Sequence, residues 1–224
     1  IIGIESKSDM KYFLQEVPSE KVEVLNNWGS PQKIYTKQRG YVLNENKVNI
    51  IYGGNMAEAQ NLLGLISCID LSVLGEKAEL TLIGNGHQLK EIKDLVKKEE
   101  MHQIKILPEV KQSEYLSILT EADIGLVSLN KKLNSNNYPL KMMGYMQNAK
   151  PILASVNEGN EIISLINENK VGLTSIAEDR DQLNLNLKLM IDNENMRKEQ
   201  GLNGRKLFEH KFTVNAASNQ ILSH

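Results

Sequence analysis

Cysteine, histidine and basic excess are all scarce in this chain, and each scarcity excludes something. The single cysteine, Cys68, in 224 residues cannot close an internal disulfide, which fits a reducing cytoplasm. It lies in an apolar helical stretch and reads as a packing residue. Of the four histidines, His87 reads as a helix start. His102, His210 and His224 sit in polar or terminal settings without partners at ligand spacing, so no metal is expected. The formal net charge of −2 gives no basic footprint, and nucleic acid is not an expected partner. No apolar run approaches a membrane span and no signal peptide is visible. An initiating Met is also missing: the chain opens on the strand-like run Ile1–Ile4 and is expected to be a piece of a longer protein. A hydrophobic share of 41% with 24% charged residues is the make-up of a soluble globular protein. The length suits one large domain, or one domain plus a fragment of another.

The first segment reads as strand (Ile1–Ile4), helix (Ser6–Glu16, stopped by Pro18) and strand (Lys21–Leu25). Residues 27–46 are polar, contain Gly29, Pro31 and Gly40, show no apolar period and read as a linker. A regular pattern then begins. Apolar runs at Val48–Tyr52, Ala78–Ile83, Gln103–Leu107, Ile124–Leu129, Pro151–Ala154 and Val171–Leu173 are short and rich in branched residues, as in parallel strands covered on both faces. Helix-period segments lie between them: Met56–Ile69, Gln88–Glu100, Ser113–Glu121, Leu140–Asn148, Glu161–Asn167 and Asp181–Met190. This alternation predicts an α/β fold with a doubly wound parallel sheet over 47–212. A charged helix at Glu194–His210 and a polar C-terminal tail, 213–224, complete the chain.

In such sheets ligands bind beyond the carboxyl ends of the strands, so the loops leaving each strand carry the candidates. After the first strand, Gly53-Gly54-Asn55 combines two glycines, which let a ligand approach the backbone, with a helix start whose free N–H groups suit an anion. A Gly-Gly pair equally serves an ordinary tight turn, and the run is not the GxGxxG dinucleotide fingerprint. After the second strand, Gly84-Asn85-Gly86 keeps space open above the sheet or makes a tight turn. Pro108-Glu109-Val110 follows the third strand and carries little signal by residue type. The fourth loop, Asn134 to Met146, is the most telling. Pro139 suits a first helical turn, and Lys141 then stands at the positive end of the helix dipole, unfavourable unless an anion is near. A solvated surface lysine is the plainer alternative. Met142, Met143 and Met146 read as core.

With that loop the order of motifs becomes recognisable. It resembles the donor-binding, C-terminal Rossmann-like half of the GT-B fold in the retaining glycosyltransferases of family 4. Among these it looks closest to bacterial enzymes of O-antigen (lipopolysaccharide) and capsule assembly that transfer N-acetylated deoxyamino sugars such as N-acetylfucosamine. The similarity rests on Gly54-Asn55-Met56-Ala57-Glu58-Ala59-Gln60, Gly84-Asn85-Gly86, Ala122-Asp123-Ile124-Gly125-Leu126-Val127, and the block Pro139-Leu140-Lys141, Tyr145-Met146, Lys150-Pro151. It implies that residues 1–26 are the tail end of an N-terminal acceptor domain, joined by the 27–46 linker to the donor-binding domain at 47–212. Gly53, Gly54, Asn55, Gly84 and Gly86 would line the diphosphate pocket. The turn Asn137-Tyr138-Pro139-Leu140-Lys141 would bring the cation, Lys141, and backbone around Pro108, Glu109 and Val110 would hold the base. Two glutamates of the family fall on Asn136 and Gly144 here, the second being the ribose contact, and the family's first-loop Arg and Lys are missing.

The function so implied is transfer of a sugar from a UDP-sugar to a lipid-linked saccharide in bacterial surface polysaccharide synthesis. No cofactor is expected, the acceptor would be held by the N-terminal domain, and no catalytic residue is assigned. The setting is the cytoplasm, with peripheral contact to the inner face of the plasma membrane left open in the full-length protein. A sugar-nucleotide epimerase of GT-B fold is one alternative, against which Asn136 and Gly144 count. A degenerate, non-catalytic partner-binding domain is the other. This piece alone is expected to transfer nothing.

Overall fold

The computed structural model describes residues 1–7, 9–30, 43–133 and 138–224. At the start, β1 (Ile2–Ile4), α1 (Met10–Phe13) and β2 (Val22–Val24) form a small unit in which the two strands pair in parallel as a sheet of their own. The helix expected over Ser6–Glu16 shrinks to α1 because Asp9 makes no side-chain cap bond and none of its residues is buried. With neither a cap nor a packed face, a short helix does not extend.

From Val48 onward strand and helix alternate: β3 (Val48–Gly53), α2 (Leu62–Cys68), α3 (Leu71–Leu74), β4 (Ala78–Ile83), α4 (Leu89–Lys98), β5 (Ile104–Leu107), α5 (Gln112–Glu121), β6 (Ile124–Ser128), α6 (Leu140–Gln147), β7 (Ile152–Val156), α7 (Glu161–Glu168), β8 (Gly172–Ile176), α8 (Arg180–Asp192), α9 (Glu194–Lys211) and α10 (Val214–Leu222). The strands β3 to β8 make one parallel sheet in the order β5-β4-β3-β6-β7-β8. The chain therefore runs outward from β3 and returns to its other side with β6. A crevice at the carboxyl ends of these two strands is where such a topology places ligands.

Successive strand residues point to opposite faces, and both faces are apolar. Ile50, Tyr52, Leu80, Leu82, Leu126 and Leu153 pack with Leu65 and Ile66 of α2, Ile92 of α4 and Leu183 and Leu187 of α8. Ile51, Ile83, Val127, Ala154 and Val156 pack on the other side with Ile118 and Leu119 of α5, Met142 to Met146 of α6, Ile162 of α7 and Phe208 of α9. This is the layered α/β architecture expected from the alternation, a Rossmann-like doubly wound sheet.

Two further stretches differ from expectation because of contacts from distant parts of the chain. The helix expected at Met56–Ile69 begins as a single 3-10 turn, Glu58–Gln60, and turns through a left-handed Asn61 (φ 46) before α2. The backbone that would continue it is taken elsewhere: the Ala59 carbonyl accepts from Asn130 N at 2.9 Å and the Gln60 carbonyl from Ser128 Oγ at 2.5 Å. The stretch 213–224, read as a polar tail, contains α10. Thr213 caps it by accepting from Ala216 N at 3.2 Å, Ala217 is buried, and Gln220 Nε2 donates to the Val24 carbonyl at 2.8 Å. Within 27–46, Gly29 N donates to the Phe212 carbonyl at 2.8 Å and Leu43 joins the core; residues 31–42 lie outside the described residues. No helix among the described residues is long and apolar enough to cross a membrane.

Helix α9 crosses α6 closely because glycines face it. A Cβ on Gly201 would stand 2.0 Å from the Ala149 carbonyl oxygen, so an alanine forces the two helices apart. Gly201→Ala is expected to cost about 1–3 kcal/mol, despite alanine's better helix propensity, as a lowered urea midpoint with an unchanged slope.

Candidate ligand cleft at the carboxyl rim

The loops leaving β3 and β4 are tied to each other before any ligand is considered. Gly54 N donates to the Ile83 carbonyl at 2.9 Å, Met56 N to the Asn85 carbonyl at 2.7 Å, and Gln88 N to the Met56 carbonyl at 3.1 Å. The fit leaves no room for side chains: at Gly84, φ is +146° and a Cβ would sit 2.0 Å from the Gly54 carbonyl oxygen. The glycines thus serve the tight turn that the sequence left open, and by doing so they leave a recess above it.

That recess is a cleft of about 770 Å³ lined by Gly53, Gly54, Asn55, Gly84, Gly86, Glu109 and Val110, all sequence candidates. Ile83, Asn85, Gln112 and Tyr115 complete its wall. Gln112 and Tyr115 also border an adjoining chamber of about 630 Å³ that holds Leu140, Lys141 and Gly144. Among the described residues lining the two spaces, Glu109 and Lys141 carry the formal charges.

Lys141 stands in the first turn of α6, whose N-cap is Pro139 with no side-chain cap bond. Met142 N donates to the Pro139 carbonyl at 2.9 Å, and ahead of it the helix start offers the N–H groups of Leu140 and Lys141 to an anion. Its side chain reaches the β3 loop: a Cβ on Gly54 would lie 3.4 Å from Lys141 Nζ. Nζ also sits 3.8 Å above the centroid of the Tyr52 ring. No ion pair to a carboxylate is formed by Lys141 among the described residues. Burial pulls its ammonium down from the ordinary 10.5 to about 7, and its place at the positive end of α6 acts in the same direction. The amine thus stands at the edge of open space with reduced hydration and no carboxylate paired to it among the described residues.

The remaining candidates lie around this centre in different ways. Pro108 is not part of the cleft wall, whereas its neighbours Glu109 and Val110 are. Tyr138 points toward α7 and the end of α9: its ring meets Phe212 edge-on with centroids 6.1 Å apart, and its hydroxyl lies 3.5 Å from Glu161. Burial and then the Glu161 carboxylate push that phenol up to about 12. Asn137, and Asn136 beside it, lie outside the described residues. Gly144 opens into the chamber, and a Cβ there would meet Leu119 alone, at 3.9 Å.

Tyr52, Gln112 and Tyr115 were not among the sequence candidates. Gln112 and Tyr115 occupy the first turn of α5, three residues apart on one face, and the rule that points to loops after strands extends to that turn. Tyr52 carried no signal, since an aromatic in a buried strand is ordinarily core. Lys150 and Asp123, part of the motif block, lie at the opposite rim and are structural. Lys150 Nζ donates to the Thr120 carbonyl at 2.8 Å, and Asp123 accepts from Asn49 N at 2.8 Å, fastening β6 to β3. Among the described residues no three His, Cys, Asp or Glu side chains are grouped to hold a metal ion.

Comparison with known proteins follows the same outline. The family described as "Glycosyl transferases group 1" matches residues 34–207. A curated relative, the "Probable glycosyltransferase WbjE" of Pseudomonas aeruginosa, is 25% identical over 178 residues, covering 77% of this chain and 44% of its own length. Among solved structures, Anabaena Alr3699/HepE in complex with UDP superposes with a TM-score of 0.81 at 13% identity, over 100% of this chain and 62% of that one. WaaG, described as a glycosyltransferase involved in lipopolysaccharide biosynthesis, gives 0.70 at 13% identity, over 97% and 60%. The chain thus spans less than half of the curated relative and under two thirds of these two structures.

The buried amine makes stability depend on pH in a defined direction. The folded value of about 7 lies below the ordinary 10.5, so between those limits the unfolded chain holds more protons and stability contributed at this position rises with pH. Lys141→Met is therefore expected to be more stable than the parent at about pH 7, with the gap narrowing at about pH 9.5. Paired urea titrations at the two pH values check this; a constant gap contradicts the buried amine.

Proposed function

The chain belongs to the group 1 glycosyl transferase family, and from that premise we propose that its rim cleft binds the diphosphate of a UDP-sugar for transfer with retention at the anomeric carbon. The acceptor on this reading is a lipid-linked saccharide of bacterial surface polysaccharide synthesis, held by a domain corresponding to the rest of the longer relatives. The O-antigen and capsule branch of family 4, with an N-acetylated deoxyamino sugar as donor, is the finer assignment that the motif order favours. Residues 1–26 would then belong to the acceptor side and 47–212 to the donor side. The setting would be cytoplasmic, with peripheral membrane contact.

The observation that carries the proposal is the meeting of Lys141 with the Gly54 loop. During transfer the bond from the anomeric carbon to the β-phosphate oxygen breaks, a bond to the acceptor oxygen forms on the same face, and the acceptor hydroxyl's proton passes to the departing phosphate. Negative charge grows on the departing phosphate. The chain offers three things at one rim to stabilise it: glycines that admit the phosphates to the backbone, the α6 N-terminus, and the Lys141 ammonium. Glu109 and Val110 at the far end of the 770 Å³ cleft leave space for the nucleoside. The counter-charge comes from side chain and backbone, and the reading assigns no cofactor.

Lys141 then takes up a proton as the diphosphate arrives, because the ligand restores its ordinary basicity. At about pH 8 UDP binding is expected to draw in close to one proton per site. Calorimetry in two buffers of different ionisation enthalpy measures it. Lys141→Ala should lose the uptake, weaken UDP binding by roughly 10- to 100-fold and slow transfer by the full-length protein about 100- to 1,000-fold. Absence of any UDP heat with the parent chain would instead support a degenerate, non-catalytic domain.

Gly144 offers a second test. The space beside it accepts a longer side chain, so Gly144→Gln, which is neutral and leaves Lys141 uncompensated, should supply a ribose hydrogen bond and tighten UDP binding about 3- to 10-fold, leaving pyrophosphate binding unchanged. Unchanged UDP binding, or equal tightening of both ligands, would remove the ribose from this chamber.

A further inference from the structure

Tyr52 is wholly buried at the end of β3, yet it touches both halves of the cleft. Its ring lies beneath the Lys141 ammonium at 3.8 Å, and its hydroxyl donates to the Asn55 carbonyl at 2.6 Å, in the loop that carries Gly54. Resting on the donor-cleft reading above, we propose that Tyr52 is the positioning residue of the site, holding the Lys141 cation with its ring face and the Gly54–Asn55 loop with its hydroxyl.

The choice of an aromatic partner has a physical reason. A buried ammonium needs compensation, and a carboxylate would supply it most strongly. A carboxylate would also repel a diphosphate and compete with it for the lysine. The negative face of an aromatic ring stabilises the cation without a formal charge, so the attraction for an incoming anion is preserved. The other titratable groups around the amine fit this arrangement. Tyr115 of α5 is pushed up to about 12 by burial, and Tyr145 of α6 and Tyr52 itself are raised by burial first and neighbouring phenols second. All three stay neutral around neutral pH. Among the described residues lining the two spaces, Glu109 in the neighbouring cleft is the one carboxylate. The hydroxyl tie does separate work: by fixing the Asn55 carbonyl it keeps the loop at the height where Gly54 and Lys141 share a ligand.

The experiment replaces the ring electronically while keeping its shape. Tyr52→Phe removes the hydroxyl and retains the ring; mono- and trifluorinated phenylalanine at the same position then drain the ring face stepwise. The Lys141 midpoint is followed in the ligand-free protein by NMR of isotope-labelled lysine, and UDP binding by calorimetry at about pH 7. Tyr52→Phe should leave the midpoint in place and weaken UDP binding a few-fold through the freed loop. Fluorination should then lower the midpoint progressively, by about half a unit or more in total, with UDP binding weakening in the same order. A midpoint that stays flat across the fluorinated series, with UDP still bound, overturns the role given to Tyr52 and leaves the donor reading standing. No UDP binding by the parent protein overturns the donor reading, while a midpoint that still follows the series keeps the ring's hold on Lys141.

Discussion

The constraint on which the cleft depends is an ammonium largely withdrawn from water, with no carboxylate paired to it among the described residues. Lys141 is placed there by Pro139, which starts α6, and by the packing of Met142, Met143, Tyr145 and Met146 on the sheet. That packing leaves the lysine one direction to take, over the edge of β3. Solvation lost at Nζ is partly recovered from the Tyr52 ring. What is not recovered appears as the depressed basicity, and it is available to any anion that enters. On the donor-binding reading, fold stability and binding would be coupled at one atom: the core holds the lysine in an unfavourable place, and a ligand would relieve it.

The same division runs through the motif block. Residues that look alike in a sequence comparison split into two groups once placed. Asp123, Gln60 and Lys150 fasten backbone: β6 to β3, the 3-10 turn to β6, and the start of β7 to the end of α5. Gly54, Gly84 and Lys141 build the open rim. A motif in such a sheet is mostly scaffolding, and its order along the chain identifies a fold more firmly than a chemistry. The fold and family were accordingly easier to reach than the nucleotide, the sugar or the acceptor.

Much of the architecture was legible because it rests on period and composition. Branched runs such as Val48–Tyr52 and Ala78–Ile83 can be buried on both faces only in a parallel sheet covered by helices, and the helices between them follow. Apart from the uncapped, unpacked α1, the differences arose where one residue's partners lay far along the chain. Ser128 and Asn130 draw the backbone at Ala59 and Gln60 out of a helix, and nothing within Met56–Ile69 announces it. Helix α10 forms because Val24 and the α9 end give it something to lie on. In the cleft, glycines and Lys141 were readable from the rule that loops after strands bind ligands. Tyr52 was not, because its role arises from a side chain 89 positions away, by the numbering of the two residues.

A lysine poised near neutrality also gives the cleft a property that a permanently charged arginine would lack. Arginine stays cationic through any accessible pH, and a buried arginine without a partner would have to be compensated by a fixed anion in the empty protein. Burial here lowers the amine's basicity, so near neutral pH the empty cleft carries less positive charge than an arginine would give it. On the donor-binding reading the positive charge is then assembled as the diphosphate arrives and dispersed as the product leaves. The missing first-loop cations fit that arrangement: one amine, brought to full charge by its ligand, faces a rim of glycine, amide, phenol and apolar groups with Glu109 on the wall of the neighbouring cleft. Affinity in such a site is set by how firmly the neutral surroundings hold the amine in place. For that reason the weight of recognition falls on the ring beneath Lys141 and on the loop its hydroxyl ties down.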